Sequence, residues 1–148
     1  MNRFFGTIGF GFVLIASFVF ISHAWAQSSE LQLAYTYALN AGIITEASYA
    51  DAHMLSKVTR KDAAKMFVIF AHRMNPSMQT NTGASCSFSD ISRESTDSQN
   101  YMIQACQLGI MGRNSDGTSA IVFNPNVILT RAHVGTILSR ILYGATHN

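Results

Sequence analysis

The chain has 148 residues, 48% of them hydrophobic, with ten Lys+Arg against eight Asp+Glu and two cysteines. That length suits one ordinary domain and excludes two large ones. A formal charge of +2 without a polybasic run gives nucleic acid no footing, and the low charged fraction argues against a disordered tail.

The N-terminus reads as an export signal. Met1-Asn2-Arg3 is a short basic head, Phe4 to Ile21 is uncharged and almost wholly apolar, and Ala24-Trp25-Ala26 has the small-x-small pattern of a signal peptidase site. Cleavage there is expected to leave a mature chain beginning at Gln27. The alternative is an uncleaved anchor, because this apolar run is at the lower limit for spanning a bilayer. Apart from such an anchor, nothing in the chain points to a membrane.

Helical periodicity dominates the rest. Leu31, Ala34, Tyr35, Ala38 and Ala41 predict a helix over 30–41, closed by a left-handed Gly42. A helical turn or two is expected around Ser48 to Ala52. Thr59 is a natural N-cap for the next helix, with Asp62 as the weaker acidic half of a capping box. Ala63, Met66, Phe67, Phe70, Ala71 and Met74 are its expected buried face. Polar residues 75–85 form a linker. Asp97 or Ser98 is expected to cap a helix through Tyr101, Ala105 and Leu108 that stops at Gly109. After a polar loop and Phe123-Asn124-Pro125, Thr130 caps a last helix with Val134, Ile137, Leu138, Ile141 and Leu142 at apolar spacing.

The two halves correspond. The run around Ala38 and Gly42-Ile43 matches that around Ala105 and Gly109-Ile110, and Val58-Thr59-Arg60 matches Leu129-Thr130-Arg131. This predicts an internal duplication of a helix–loop–helix unit. Neither unit alone can bury much apolar surface, so the two should pack together. Cys86 and Cys106 both lie in the exported part and are expected to form a disulfide; two separate buried thiols are the alternative. No Cys-x-x-Cys supports a zinc or redox site.

At these residues the chain resembles the S-layer homology (SLH) family. Phe88-x-Asp90, the helix ending in Gly109-Ile110-x-Gly112, Phe123-x-Pro125 and Leu129-Thr130-Arg131-Ala132 stand in the family's order and approximate spacing. The first unit shares only its Ala-x-x-x-Gly-Ile helix end and its Val58-Thr59-Arg60 start. The resemblance implies an all-α fold of repeated helix–loop–helix units packed as a small bundle. With the signal peptide (1–26) and the linker (75–85) read from the residues, the resemblance implies a degenerate first repeat (27–74) and a second repeat (86–143), followed by a tail (144–148). It also implies a protein of the cell surface, cell wall or periplasmic space that binds an acidic, often pyruvylated, cell-wall polysaccharide non-covalently in grooves between modules. Modules of the family work in threes. Only two are visible here, which suggests a homo-oligomer or a partner module. The acidic residue that usually follows Thr-Arg-Ala is His133, which would remove the usual capping-box partner.

The ligand-binding residues expected from this resemblance are Arg131, Arg60, Thr130 and Gly112. Arg131 would stand in the first turn of a helix, where a cation opposes the dipole and invites an anionic partner. The alternative is an internal pair with Asp90 or another acidic residue in the same unit. Phe88, Phe123, Ile110 and Leu129 read as core. The loop Arg113-Asn114-Ser115-Asp116-Gly117-Thr118 has alternating oxygens but lacks the bidentate glutamate of a calcium hand, and Asp116-Gly117 is also a good turn. No metal, cofactor or catalytic constellation is indicated, so the chain reads as a non-enzyme. The alternative function is an envelope protein-interaction module without a glycan ligand.

Overall fold

The computed structural model describes residues 29–144, so the expected signal peptide lies outside the described residues. Within them the chain is helical, in keeping with the all-α expectation. Helix α1 covers residues 29–40, α2 Arg60–Met74, α3 Thr96–Gln107 and α4 Arg131–Tyr143. No strand forms among the described residues; extended pairing is confined to isolated antiparallel bridges, Thr59 with Ile128 and Arg113 with Ser119. No helix among them is long and apolar enough to cross a membrane.

The ends of α1 and α3 are built alike. Gly42 (φ 68°) and Gly109 (φ 77°) are both left-handed, a conformation that carries no Cβ penalty in glycine. The N–H groups of Ala41, Gly42 and Ile43 bond the carbonyls of Tyr37, Leu39 and Ala38. Those of Leu108, Gly109 and Ile110 bond Gln104, Cys106 and Ala105 in the same pattern.

The helix starts differ from the expected ones in three details. At α2, Thr59 Oγ1 accepts from the Asp62 N–H, but the Asp62 carboxylate takes the Thr59 hydroxyl rather than its backbone N–H, so the box is not reciprocal. At α3 the cap is Ser95, not Asp97 or Ser98. Its Oγ accepts the Ser98 N–H at 3.2 Å, which leaves Asp97 in the first turn, where the dipole favours an acid. At α4 the box is complete. Thr130 Oγ1 accepts the His133 N–H at 3.2 Å, and His133 Nδ1 accepts the Thr130 N–H at 3.3 Å. His133 therefore replaces the acidic partner instead of abolishing the box, because an imidazole nitrogen is also an acceptor.

One continuous core runs from Ala64 to Ile141, and α2 packs closely on α3. The buried line of α2 is Ala63, Ala64, Val68 and Ala71, while Met66, Phe67 and Phe70 are only partly buried and Met74 is 54% exposed. The expected face is thus rotated toward the small residues. Two alanines let α3 approach, and the phenylalanines flank the contact. Ile137 and Ile141 fix α4 to the core, but Leu142 faces outward. Among the described residues, no side chain of α1 belongs to that core. Its Tyr35 packs edge-on against Tyr49 and donates to the Glu46 carbonyl at 3.0 Å, whereas Leu33 and Tyr37 are exposed. The helical turn expected around Ser48 to Ala52 is present, with the Ala52 N–H on the Ser48 carbonyl at 3.0 Å, and hydrogen-bonded turns continue to residue 56 without a continuous helix.

Cys86 and Cys106 form the disulfide, with Cα atoms 6.0 Å apart. It joins the segment entering the second half to the buried face of α3. Arg113, which sequence reading placed in a candidate cation loop, caps the end of that helix: its Nε donates to the Cys106 carbonyl at 2.8 Å and Nη1 to the Gly117 carbonyl. In the same loop Asp116 Oδ1 accepts from the backbone and hydroxyl of Thr118. Those bonds hold its carboxyl below the usual range, and the loop is a closed turn.

Candidate functional site

The segment Phe88-Ser89-Asp90 and the turn at Phe123-Asn124-Pro125 form one device. Phe88 and Phe123 meet edge to face with centroids 5.1 Å apart, both buried. The Asp90 carboxylate accepts the N–H groups of Phe123 (2.8 Å) and Asn124 (2.7 Å). Asn124 is left-handed (φ 58°), a conformation that asparagine tolerates better than most residues. So clamped, the turn aims its carbonyls at the start of α2. The Arg60 N–H bonds the Val127 carbonyl at 2.9 Å, and the Lys61 N–H bonds that of Pro125 at 3.0 Å. Two of the backbone donors that a helix start leaves over are thereby filled by the other half of the chain.

The Arg60 side chain joins the same contact. Its Nε donates to the Phe123 carbonyl at 2.8 Å, and its guanidinium carbon lies 5.0 Å from the Phe123 ring centroid. Burial pushes the guanidinium pKa down, and the nearby Asp90 charge works against that shift. Asp90 thus has Arg60 as its cationic neighbour, and the alternative of an Arg131–Asp90 pair is not what forms. Lys61 adds an ion pair with Glu94 at 2.9 Å, and Asn126 donates to the same carboxylate at 3.2 Å. The hydrogen bond from Lys61, above all, holds the Glu94 carboxyl below its usual range. Sequence reading missed Glu94, Lys61 and Asn126, since ordinary surface residue types carry no signal of a contact across more than 30 positions.

The start of α4 is the counterpart with nothing docked. Arg131 and Ala132 are exposed, and among the described residues neither backbone N–H, nor the Arg131 guanidinium, has a hydrogen-bond or ion-pair partner. No acid lies in the first turn. The Thr59–Ile128 bridge runs antiparallel, with the Leu129 N–H on the Val58 carbonyl. In that register Arg60 faces Val127, and Arg131 lies beyond Thr130 at the other end, so the two arginines do not converge on one site. Val58, Val127 and Ile128 are partly exposed between them. Thr130 is engaged in the cap. Gly112 is buried under Phe88 and Phe123, and so is not at the surface near Arg131.

A shallow recess of about 330 Å³ lies elsewhere, lined by Ser85, Ser87, Ser89, Ser119, Ala120 and Ile121, and neither arginine borders it. Among the described residues, no group of three or more His, Cys, Asp or Glu is gathered as a metal site would need. The chain matches no family model, no curated protein and no solved structure.

Proposed function

We propose that this chain is an exported envelope protein of two SLH-like units that attaches non-covalently to an acidic cell-wall polysaccharide through the start of α4. The observation that carries this reading is the accessible guanidinium of Arg131 beside the N–H groups of Arg131 and Ala132, with no acid in that turn. A sugar carboxylate there meets a fork of donors and the positive end of a helix together. Arg60, engaged with Phe123 in the contact between the halves, assists by holding them together.

The duplication draws support from the matching hydrogen bonds at the ends of α1 and α3 and from the threonine caps of α2 and α4. Export draws support from the Cys86–Cys106 disulfide, since such bonds persist in oxidising compartments.

One observation favours a second reading. The start of α2 is held by a peptide turn, so a partner protein presenting such a turn could be held by the corresponding start of α4. Co-sedimentation with purified sacculi decides between them. Binding that disappears when the polysaccharide is stripped supports attachment. Equal pelleting with intact and stripped sacculi, or none with either, leaves the protein-interaction reading.

A further inference from the structure

We propose that two copies of this chain pair, α1 of each packing along the open face of α4 of the other. The junction inside the chain is thereby repeated between chains. That junction joins the two halves through α2 and α3. The line of α2 at the contact is Ala64, Val68 and Ala71, all buried. Lys65 of the same helix reaches Asp97 at 3.8 Å and lies over the Tyr101 ring. Helix α3 therefore meets α2 with the side that carries Tyr101 and, one turn on, the buried Ala105.

The duplication gives each face a counterpart, and both counterparts are open. Aligned on Arg60 and Arg131, the line Ala64, Val68, Ala71 becomes Gly135, Ser139, Leu142. A Cβ on Gly135 would meet nothing within 4 Å, and Leu142 is 56% exposed where Ala71 is fully buried. Ile137 and Ile141, on the other face of α4, are what hold it to its own core. Aligned on Gly42 and Gly109, residues Tyr101, Gln104 and Ala105 become Ala34, Tyr37 and Ala38. Ala34 is exposed, Tyr37 is 66% exposed and Ala38 is only partly buried. The turn before each threonine cap is duplicated as well. His53 (φ 46°) matches Asn124 (φ 58°), and the Ser56 N–H bonds the His53 carbonyl as that of Val127 bonds Asn124.

The occupant is a second copy because the chain supplies both sides of a contact it already makes once. Size is exchanged across the pair. Inside the chain, alanines on α2 admit a tyrosine on α3; between chains, Leu142 faces the alanines of α1 and Gly135 leaves room for Tyr37. Each copy offers one α1 face and one α4 face, so two copies about a two-fold axis satisfy both. Pairing also covers apolar side chains that otherwise stand in water. It needs no polysaccharide and stands apart from what Arg131 binds.

Sedimentation of the exported protein at tens of micromolar should show a dimer, and its melting temperature should rise with concentration. Gly135→Arg and Tyr37→Glu each set an unpaired charge in the contact, and each should weaken association at least about ten-fold. Neither position is buried in its own chain, so melting of the dilute variants should not fall below that of the wild type. Mixing the two variants should restore the dimer. A mixed pair keeps one unaltered junction and sets the new cation against the new anion in the other. A wild-type monomer overturns the pairing and leaves these faces to a different protein. A dimer indifferent to either substitution overturns it too. So does a pair of variants that stay apart when mixed, because like faces would then be meeting.

Discussion

Gly112 lies so close beneath the ring of Phe88 that a Cβ at that position would come 2.6 Å from Phe88 Cζ, and it would also crowd Phe123 at 3.3 Å. Gly112 is left-handed as well (φ 68°). Space and backbone therefore both demand glycine, and the contact explains why Phe88, Gly112 and Phe123 occur together. Gly112→Ala should destabilise by about 2–4 kcal/mol, combining overpacking with left-handed strain. Gly42→Ala is the control. It shares the φ of 68° but has nothing within 4 Å, so it should cost only the strain, about 1–2 kcal/mol. Urea unfolding of both variants reads the difference.

The disulfide should account for a large share of the stability of the second half. It closes a separation of 20 residues, worth roughly 3 kcal/mol through the unfolded chain. Cys106 is fully buried, whereas Cys86 is partly exposed. Cys86→Ser therefore removes the bond without placing a hydroxyl in the core. Its urea midpoint should fall to that of the reduced wild-type protein. A midpoint equal to that of the oxidised protein would mean that the loop is already constrained by other contacts.

Helix existence and punctuation were legible because they are local. Thr59, Thr130, Gly42 and Gly109 act within four residues of the positions that reveal them. The cap of α3 was misplaced because residues 95–98 read Ser-Thr-Asp-Ser and offer several acceptable acceptors. Only packing of Met102, Ala105 and Cys106 fixes the frame. The buried face of α2 was rotated for a similar reason: hydrophobic weight favoured its phenylalanines, while close approach of α3 favoured Ala64 and Ala71. The roles of Arg60 and Arg131 were harder still. They share a motif, and what separates them is a turn more than 60 residues distant in sequence, held by Asp90.

The ion pair of Lys61 with Glu94 should appear in the acid limb of stability. The Glu94 carboxyl is held below its usual range, first by the hydrogen bond from Lys61. A depressed carboxylate stabilises the fold above the unfolded value and loses that contribution as pH falls through the folded one. The loss should therefore begin near about pH 4.5 and continue downward. Glu94→Gln should flatten that limb while lowering stability at neutral pH. Melting curves measured from neutral to acidic pH check it, and an unchanged acid limb would remove Glu94 as a contributor.

Arg60 and Arg131 should separate cleanly when each is replaced. Arg60→Ala removes a charged hydrogen bond to the Phe123 carbonyl and a ring contact inside the junction of the two halves. It should destabilise by about 1.5–3 kcal/mol. Arg131 has no partner to lose among the described residues and stands against the helix dipole, so Arg131→Ala should leave melting unchanged or slightly raised, by about 0.3–1 kcal/mol at most. Binding to polysaccharide-bearing sacculi should nonetheless fall roughly ten- to a hundred-fold, the equivalent of one lost charged hydrogen bond. Arg131→Lys should recover only part, because a point charge cannot reproduce the fork of the guanidinium. Melting and sacculus affinity measured on the same set of proteins decide the matter. An Arg131→Ala protein that is destabilised, and whose folded fraction binds normally, would return Arg131 to a structural role and leave the anion site without its central residue.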